Sequence, residues 1–185
     1  MYKRQDYSYY FININSDRPS AEITTHQIIT DVPDETITKY DYRACYENDL
    51  VSLIGAGQRW YGELFDIDLE QTFNFSIPNI ANSPINFKTS IATNATSGGG
   101  TSQRYSVNGL TLAEAPLPHT SVDFMRSSQV FSLSNPTSSS IPLKITIQRN
   151  SPSVLTYLDR IQLNAKRDLV FCLLYTSPSP RDTRS

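Results

Sequence analysis

Apolar and polar side chains alternate along most of the chain after residue 70. The period of two is typical of a β-strand with one buried face, and clusters of Pro, Asn, Gly and Ser separate the runs. Such strands build antiparallel sheets with one wet side, and two sheets stacked on their apolar faces form a sandwich. We therefore predict an all-β, antiparallel, jelly-roll-like sandwich. The predicted strands lie within 72–79, 84–92, 129–135, 141–150 and 155–165, and the last contains an irregularity.

One stretch predicts a helix. In "YENDLVSLIGAG" the apolar Leu50, Val51 and Ile54 fall on one helical face, and acidic residues precede them, where they suit the helix dipole. Glycines then supply a stop. We expect one short helix near residues 46–55.

The two ends of the chain differ from this body. Residues 1–35 predict a peripheral strand or linker region, without the apolar run of a signal peptide. The segment "CLLYTSPSPRD" (172–182) resembles the translation of a sequencing adapter. We therefore expect an accessory sandwich domain over 1–171, a non-native tail over 172–185, and a native protein that extends beyond both ends.

Composition excludes some functions. Charged residues make up 18% of the chain and the net charge is −2. A general nucleic-acid binder carries a basic surface that neutralises phosphates. The slightly acidic net charge of this chain therefore predicts no nucleic-acid partner. No apolar run reaches the roughly 18 residues that suggest a membrane span.

Familiar catalytic and ligand-binding motifs are also missing from the sequence. The glycine-rich "SGGGTS" lacks the Gly-Lys-Ser/Thr and the following helix of a phosphate-binding loop, so we predict a mobile hairpin loop. His26 and His119 have no partner at metal-ligand spacing. A Cys45–His pair remains open only if the fold brings the two together. We predict no catalytic residue, no cofactor and no metal site.

The segment "GQRWYGELFD" contains the remaining candidates, namely Trp60, Tyr61, Gly62, Glu63 and Phe65. Clustered aromatic residues can form a sugar-stacking platform or an interface hot spot. They can also close one end of the sandwich core. We favour the buried closure, because glycines bracket the Trp60–Tyr61 pair.

The longer segment that contains it, "YDYRACYENDLVSLIGAGQRWYGELFD" (40–66), resembles the amino-terminal region of the PorU family, the cell-surface sortases of the type IX secretion system. A second segment, "YLDRIQLNAKRDL", resembles a later strand of the same region and adds Asp159 to the candidates. Arg160 departs from the family pattern by replacing an aromatic residue. The matching residues are Tyr42, Glu47, Asp49, Leu50, Gly57, Trp60, Tyr61, Gly62, Glu63, Phe65, Leu158, Asp159, Ile161, Leu163, Asn164, Ala165, Arg167 and Leu169.

The resemblance implies an accessory domain of an enzyme rather than an enzyme. PorU-type sortases carry a gingipain-like cysteine peptidase domain after this region, cleave C-terminal signal domains from secreted cargo and anchor the cargo at the surface. The implied partners are that peptidase domain and outer-membrane secretion components such as PorV. The implied location is the cell surface of a Gram-negative bacterium. The alternatives are a free-standing carbohydrate-binding or adhesin sandwich, and a small hydrolase built on Cys45.

Overall fold

The computed structural model describes residues 36–170, apart from 54, 56–58, 97–98 and 122. Nine strands make up the regular structure of this part of the chain, and no helix occurs in it. The strands are β1 (Lys39–Glu47), β2 (Leu64–Phe65), β3 (Glu70–Ser76), β4 (Ile85–Thr93), β5 (Ser102–Val107), β6 (Leu110–Pro116), β7 (Met125–Leu133), β8 (Ser140–Gln148) and β9 (Thr156–Asp168). The expectations for residues 1–35 and for the tail lie outside the described residues.

The strands form two antiparallel sheets. One has the order β1-β9-β4-β7, and β2 pairs with the N-terminal end of β9. The other has the order β3-β8-β5-β6. Successive long strands alternate between the sheets except at β5 and β6, which is the jelly-roll arrangement. The predicted all-β antiparallel sandwich is confirmed.

The core lies between the inner faces of the two sheets. Alternation along β8 buries Ile141, Leu143, Ile145 and Ile147, as the sequence pattern predicts. From the other sheet, Phe87 stacks on Phe131 at a centroid distance of 5.4 Å, and Tyr105 of β5 stacks on the same ring at 4.5 Å. These rings join the two sheets across the core, where aromatic contacts add to the burial of apolar area.

Two local predictions are wrong. The proposed helix near 46–55 is replaced by the end of β1 at Glu47 and by an extended segment, in which the amides of Leu50 and Val51 donate to the Tyr61 carbonyl. The glycine-rich loop connects β4 to β5, which belong to different sheets, so it is a crossover between sheets rather than a hairpin. The two-residue hairpin lies instead between β5 and β6, where Asn108 and Gly109 have φ of 49° and 82°. Positive φ at both positions suits this turn.

Candidate functional site

The two sequence segments that carry the resemblance meet at the end of β1. The amide of Gly62 donates to the Leu158 carbonyl at 2.7 Å, and the amide of Leu158 donates to the Glu63 carbonyl at 2.9 Å. We call the group Tyr46, Asn48, Tyr61, Gly62, Glu63 and Leu158 the Gly62 junction. It joins β1, β2 and β9 by backbone pairing, so the segments are close in space although they are far apart in sequence.

Gly62 is required at this junction because Asn48, which follows β1, and Leu158 of β9 both approach its Cα closely. A Cβ at position 62 would lie 2.9 Å from the Asn48 carbonyl oxygen and 3.6 Å from the Leu158 carbonyl oxygen. The first distance is shorter than real side chains adopt, and the obstacle is backbone. A glycine at such a place allows close backbone approach.

Glu63 contributes the polar centre of the junction. Its Oε1 accepts hydrogen bonds from the Tyr46 hydroxyl at 2.5 Å and from the Asn48 amide Nδ2 at 2.9 Å. Its Oε2 is buried and has no hydrogen-bond partner among the described residues. The bond to Glu63, followed by burial, raises the pKa of Tyr46 to about 12, because both favour the neutral phenol. The Tyr46 ring also packs edge-on against Phe73, 5.0 Å away.

The aromatic candidates separate into buried and exposed residues. Phe65 is fully buried in the core, and Tyr61 is buried with 8% of its surface exposed. Trp60 is 45% exposed, and the prediction that its ring is buried is wrong. Glycine is needed at position 62 because Asn48 and Leu158 lie close to its Cα, and not because the Trp60 ring packs there.

Asp159 lies a few residues along β9, where the pairing register with β4 shifts between Ser90 and Ile91. Its nearly buried carboxylate accepts a hydrogen bond from the Arg126 guanidinium at 2.7 Å. The Arg126 Nε donates to the Ser90 hydroxyl at 2.8 Å. Sequence reasoning found Asp159 through the resemblance but missed Arg126, because nothing local links residues on two strands that are not adjacent.

The described residues do not assemble a reacting group. Cys45 is largely exposed on β1, and partial desolvation of its thiol, followed by the Glu47 carboxylate, raises the pKa of Cys45. His119 is exposed in the loop between β6 and β7, and β7 is at the opposite end of the sheet order from β1. His26 lies outside the described residues. Among the residues that the structure describes, no three His, Cys, Asp or Glu side chains meet as metal ligands, and no helix is long and apolar enough to cross a membrane.

Together these features define a two-sheet antiparallel jelly-roll domain with a structural polar junction at one edge. No family model and no curated protein matches the chain. Among solved structures, it is similar to dimeric latent PorU from Porphyromonas gingivalis, with 23% identity and a TM-score of 0.65, over 75% of this chain and 14% of that one. This similarity shows a shared fold, and the match spans about a seventh of the length of PorU.

Carbohydrate-binding modules have more distant similarity. A CBM36 module solved with calcium and xylotriose has 17% identity and a TM-score of 0.40, over 69% of this chain and 99% of that one. A family 35 module from Clostridium thermocellum has 12% identity and a TM-score of 0.40, over 69% of this chain and 98% of that one. These scores are too low to bear on the function of this chain.

Proposed function

We propose that this chain is a non-catalytic accessory domain of a type IX secretion sortase. The pairing of the two resembling segments at the Gly62 junction carries the proposal. Three of the residues that the resemblance selects, Gly62, Glu63 and Leu158, are joined by two backbone hydrogen bonds. A chance sequence match would have no reason to select them together. The fold similarity to one region of PorU supports the same proposal.

The domain's role is to hold neighbouring parts of the parent protein in place. Strand β9 is paired on both sides. Arg167 further fixes its C-terminal end, because the Arg167 Nε donates a hydrogen bond to the Pro78 carbonyl at 2.5 Å and the guanidinium lies 5.1 Å from the centre of the Tyr42 ring. A strand so anchored gives a rigid exit toward a following domain. In the parent, that domain would be the cysteine peptidase that cleaves C-terminal signal domains and anchors cargo at the cell surface. PorV remains the proposed outer-membrane partner.

Sequencing the gene across codon 171 in its source DNA tests this proposal. A following peptidase domain with a His and a Cys in catalytic positions supports it. A stop codon or a second sandwich domain contradicts it.

A peptidase assay tests the non-catalytic part separately. We expect no turnover of peptide substrates by the chain, because the raised pKa of Cys45 keeps its thiol protonated and the described residues supply no base beside it. Turnover that disappears in Cys45→Ala would favour the small hydrolase instead.

A free-standing carbohydrate-binding or adhesin module is the second candidate, and the exposure of Trp60 favours it. An exposed indole can stack on a sugar ring, and Leu64, which is 38% exposed, follows it in the chain. Under this candidate, Trp60→Ala abolishes binding on a glycan array and leaves Tm unchanged. Under the first candidate, the same variant changes neither measurement.

A further inference from the structure

The outer face of the β1-β9-β4-β7 sheet carries a polar groove above β9, β4 and β7. It has a volume of about 330 Å³, and the residues that line it include Lys88, Ser90, Arg126, Ser128, Arg160 and Gln162. We call it the outer-face groove. Ligand pockets for small molecules begin at roughly this volume.

Short polar residues continue the outer-face groove along the same face. A second depression of about 480 Å³ is lined by Asn86, Asn164, Ser132 and Lys166, among others. Asn86 and Asn164 pair with each other directly, two residues beyond Lys88 and Gln162 on the same face. Hydroxyl and amide side chains thus form a trough along β4 and β9, and these groups match the hydroxyls of a saccharide.

Two cations of the outer-face groove have no ion-pair partner among the described residues. Lys88 is exposed and Arg160 is half-buried, and neither takes part in a salt bridge there, although Glu47 lies opposite Arg160 across the β1–β9 pair. Arg126 is neutralised by Asp159. Cations that already point into a hydroxyl-lined groove can donate charge-assisted hydrogen bonds to an anionic ligand.

Beyond the outer-face groove, past the Ser90–Arg160 pair of β4 and β9, the same face of the sheet is aromatic. Tyr157 is two residues before Asp159 and faces outward, because its neighbours Thr156 and Leu158 are both buried. Phe124 packs on the Tyr157 ring edge-on at 5.7 Å, and the exposed Leu64 lies opposite Tyr157 in the β2–β9 pair. An apolar patch of this kind can carry the face of a sugar ring.

We propose that the outer-face groove binds an acidic saccharide, with its acid group held by Lys88 and Arg160 and a neighbouring ring lying on Tyr157. A peptide strand does not suit this place, because β4 and β9 are both paired on both sides and offer no free edge for strand addition. The site is distinct from Trp60, and the proposal does not rest on the sortase assignment.

The test measures binding of the full chain to four probes by titration calorimetry. Short oligogalacturonate supplies carboxylates, a heparin-derived oligosaccharide supplies sulfates, a xylo-oligosaccharide is neutral, and inorganic sulfate is a free anion. We expect at least one acidic oligosaccharide to bind more tightly than the neutral one and the free ion. Lys88→Ala and Arg160→Ala should each weaken it about tenfold, the factor that a charge-assisted hydrogen bond of roughly 1.4 kcal/mol supplies.

Two control variants make the test specific. Lys144→Ala removes an equal charge from the outer face of the other sheet, where Lys144 pairs with Glu70, and should leave binding unchanged. Trp60→Ala should also leave it unchanged, and a melting curve for each variant shows that it is folded. The proposal is overturned if sulfate alone binds as well as the acidic oligosaccharides, if none of them binds, or if Lys144→Ala weakens binding equally. Loss in Trp60→Ala alone overturns it in favour of the Trp60 module.

Discussion

Replacing Gly62 by Ala tests the structural role of the Gly62 junction. The new methyl group would meet the Asn48 carbonyl oxygen at 2.9 Å and the Asn48 Cβ at 3.2 Å. Trimming the Asn48 side chain would not relieve the first contact, because a backbone atom makes it. Either the segment after β1 moves outward, or the 2.7 Å bond from the Gly62 amide to Leu158 lengthens.

The expected cost follows from these contacts. Inserting a methyl group into a packed site costs about 1–3 kcal/mol. Asn48 is exposed and the segment after β1 can yield, which places the cost in the lower half of that range. A loss of roughly 1–2 kcal/mol corresponds to a fall in Tm of roughly 2–8 °C for a domain of this size.

Differential scanning calorimetry measures this effect, and Gly99→Ala is the matched control. Gly99 has no atom within 4 Å of its hypothetical Cβ, and its φ is not positive, so alanine there should leave Tm unchanged or slightly raised. Equal Tm values for Gly62→Ala and the wild type would refute the close-approach explanation. A loss of similar size in Gly99→Ala would show that the effect is general to glycine loss.

Three further perturbations probe other parts of the molecule. Tyr46 stabilises the fold as a neutral phenol, so its contribution is complete below about pH 10 and is lost as the pH rises to its folded pKa of about 12. Tyr46→Phe should therefore lower the stability below about pH 10 and make the stability less dependent on pH between about 10 and 12. Denaturant unfolding at these two pH values measures the difference, and identical pH profiles for the variant and the wild type would contradict it. Phe65→Ala should cost about 3–5 kcal/mol by removing a fully buried ring, while Trp60→Ala should cost little, and equal costs would contradict the assigned burial. Deleting residues 172–185 should leave Tm within about 1 °C, and a larger fall would show that the tail is part of the domain.

The strands with strong alternation could be predicted from sequence because a half-buried strand imposes its period on side chains directly. Phe73 and Phe75 in β3, and the isoleucines of β8, are buried as their pattern indicates. Even the irregularity in β9 appears as the shift opposite Ser90 and Ile91.

The helix could not be excluded from sequence because Leu50 and Val51 satisfy a helical pattern locally. Their backbone amides instead bond to Tyr61, a residue whose proximity depends on the whole sheet. The exposure of Trp60 and the pairing of Asp159 with Arg126 have the same origin. Each depends on which strands become neighbours, and strand order is not encoded in any single segment.

The central position of β9 has a consequence for biosynthesis. Strands β1, β2 and β4 all pair with this strand, which is the last of the described strands to be synthesised. A nascent chain that has not yet released residues 156–168 from the ribosome can form the β3-β8-β5-β6 sheet but lacks the partner that joins the other one. Pairing such distant segments is intrinsically slow. The domain should therefore stay open until its final strand emerges, and during that interval it presents exposed strand edges to chaperones.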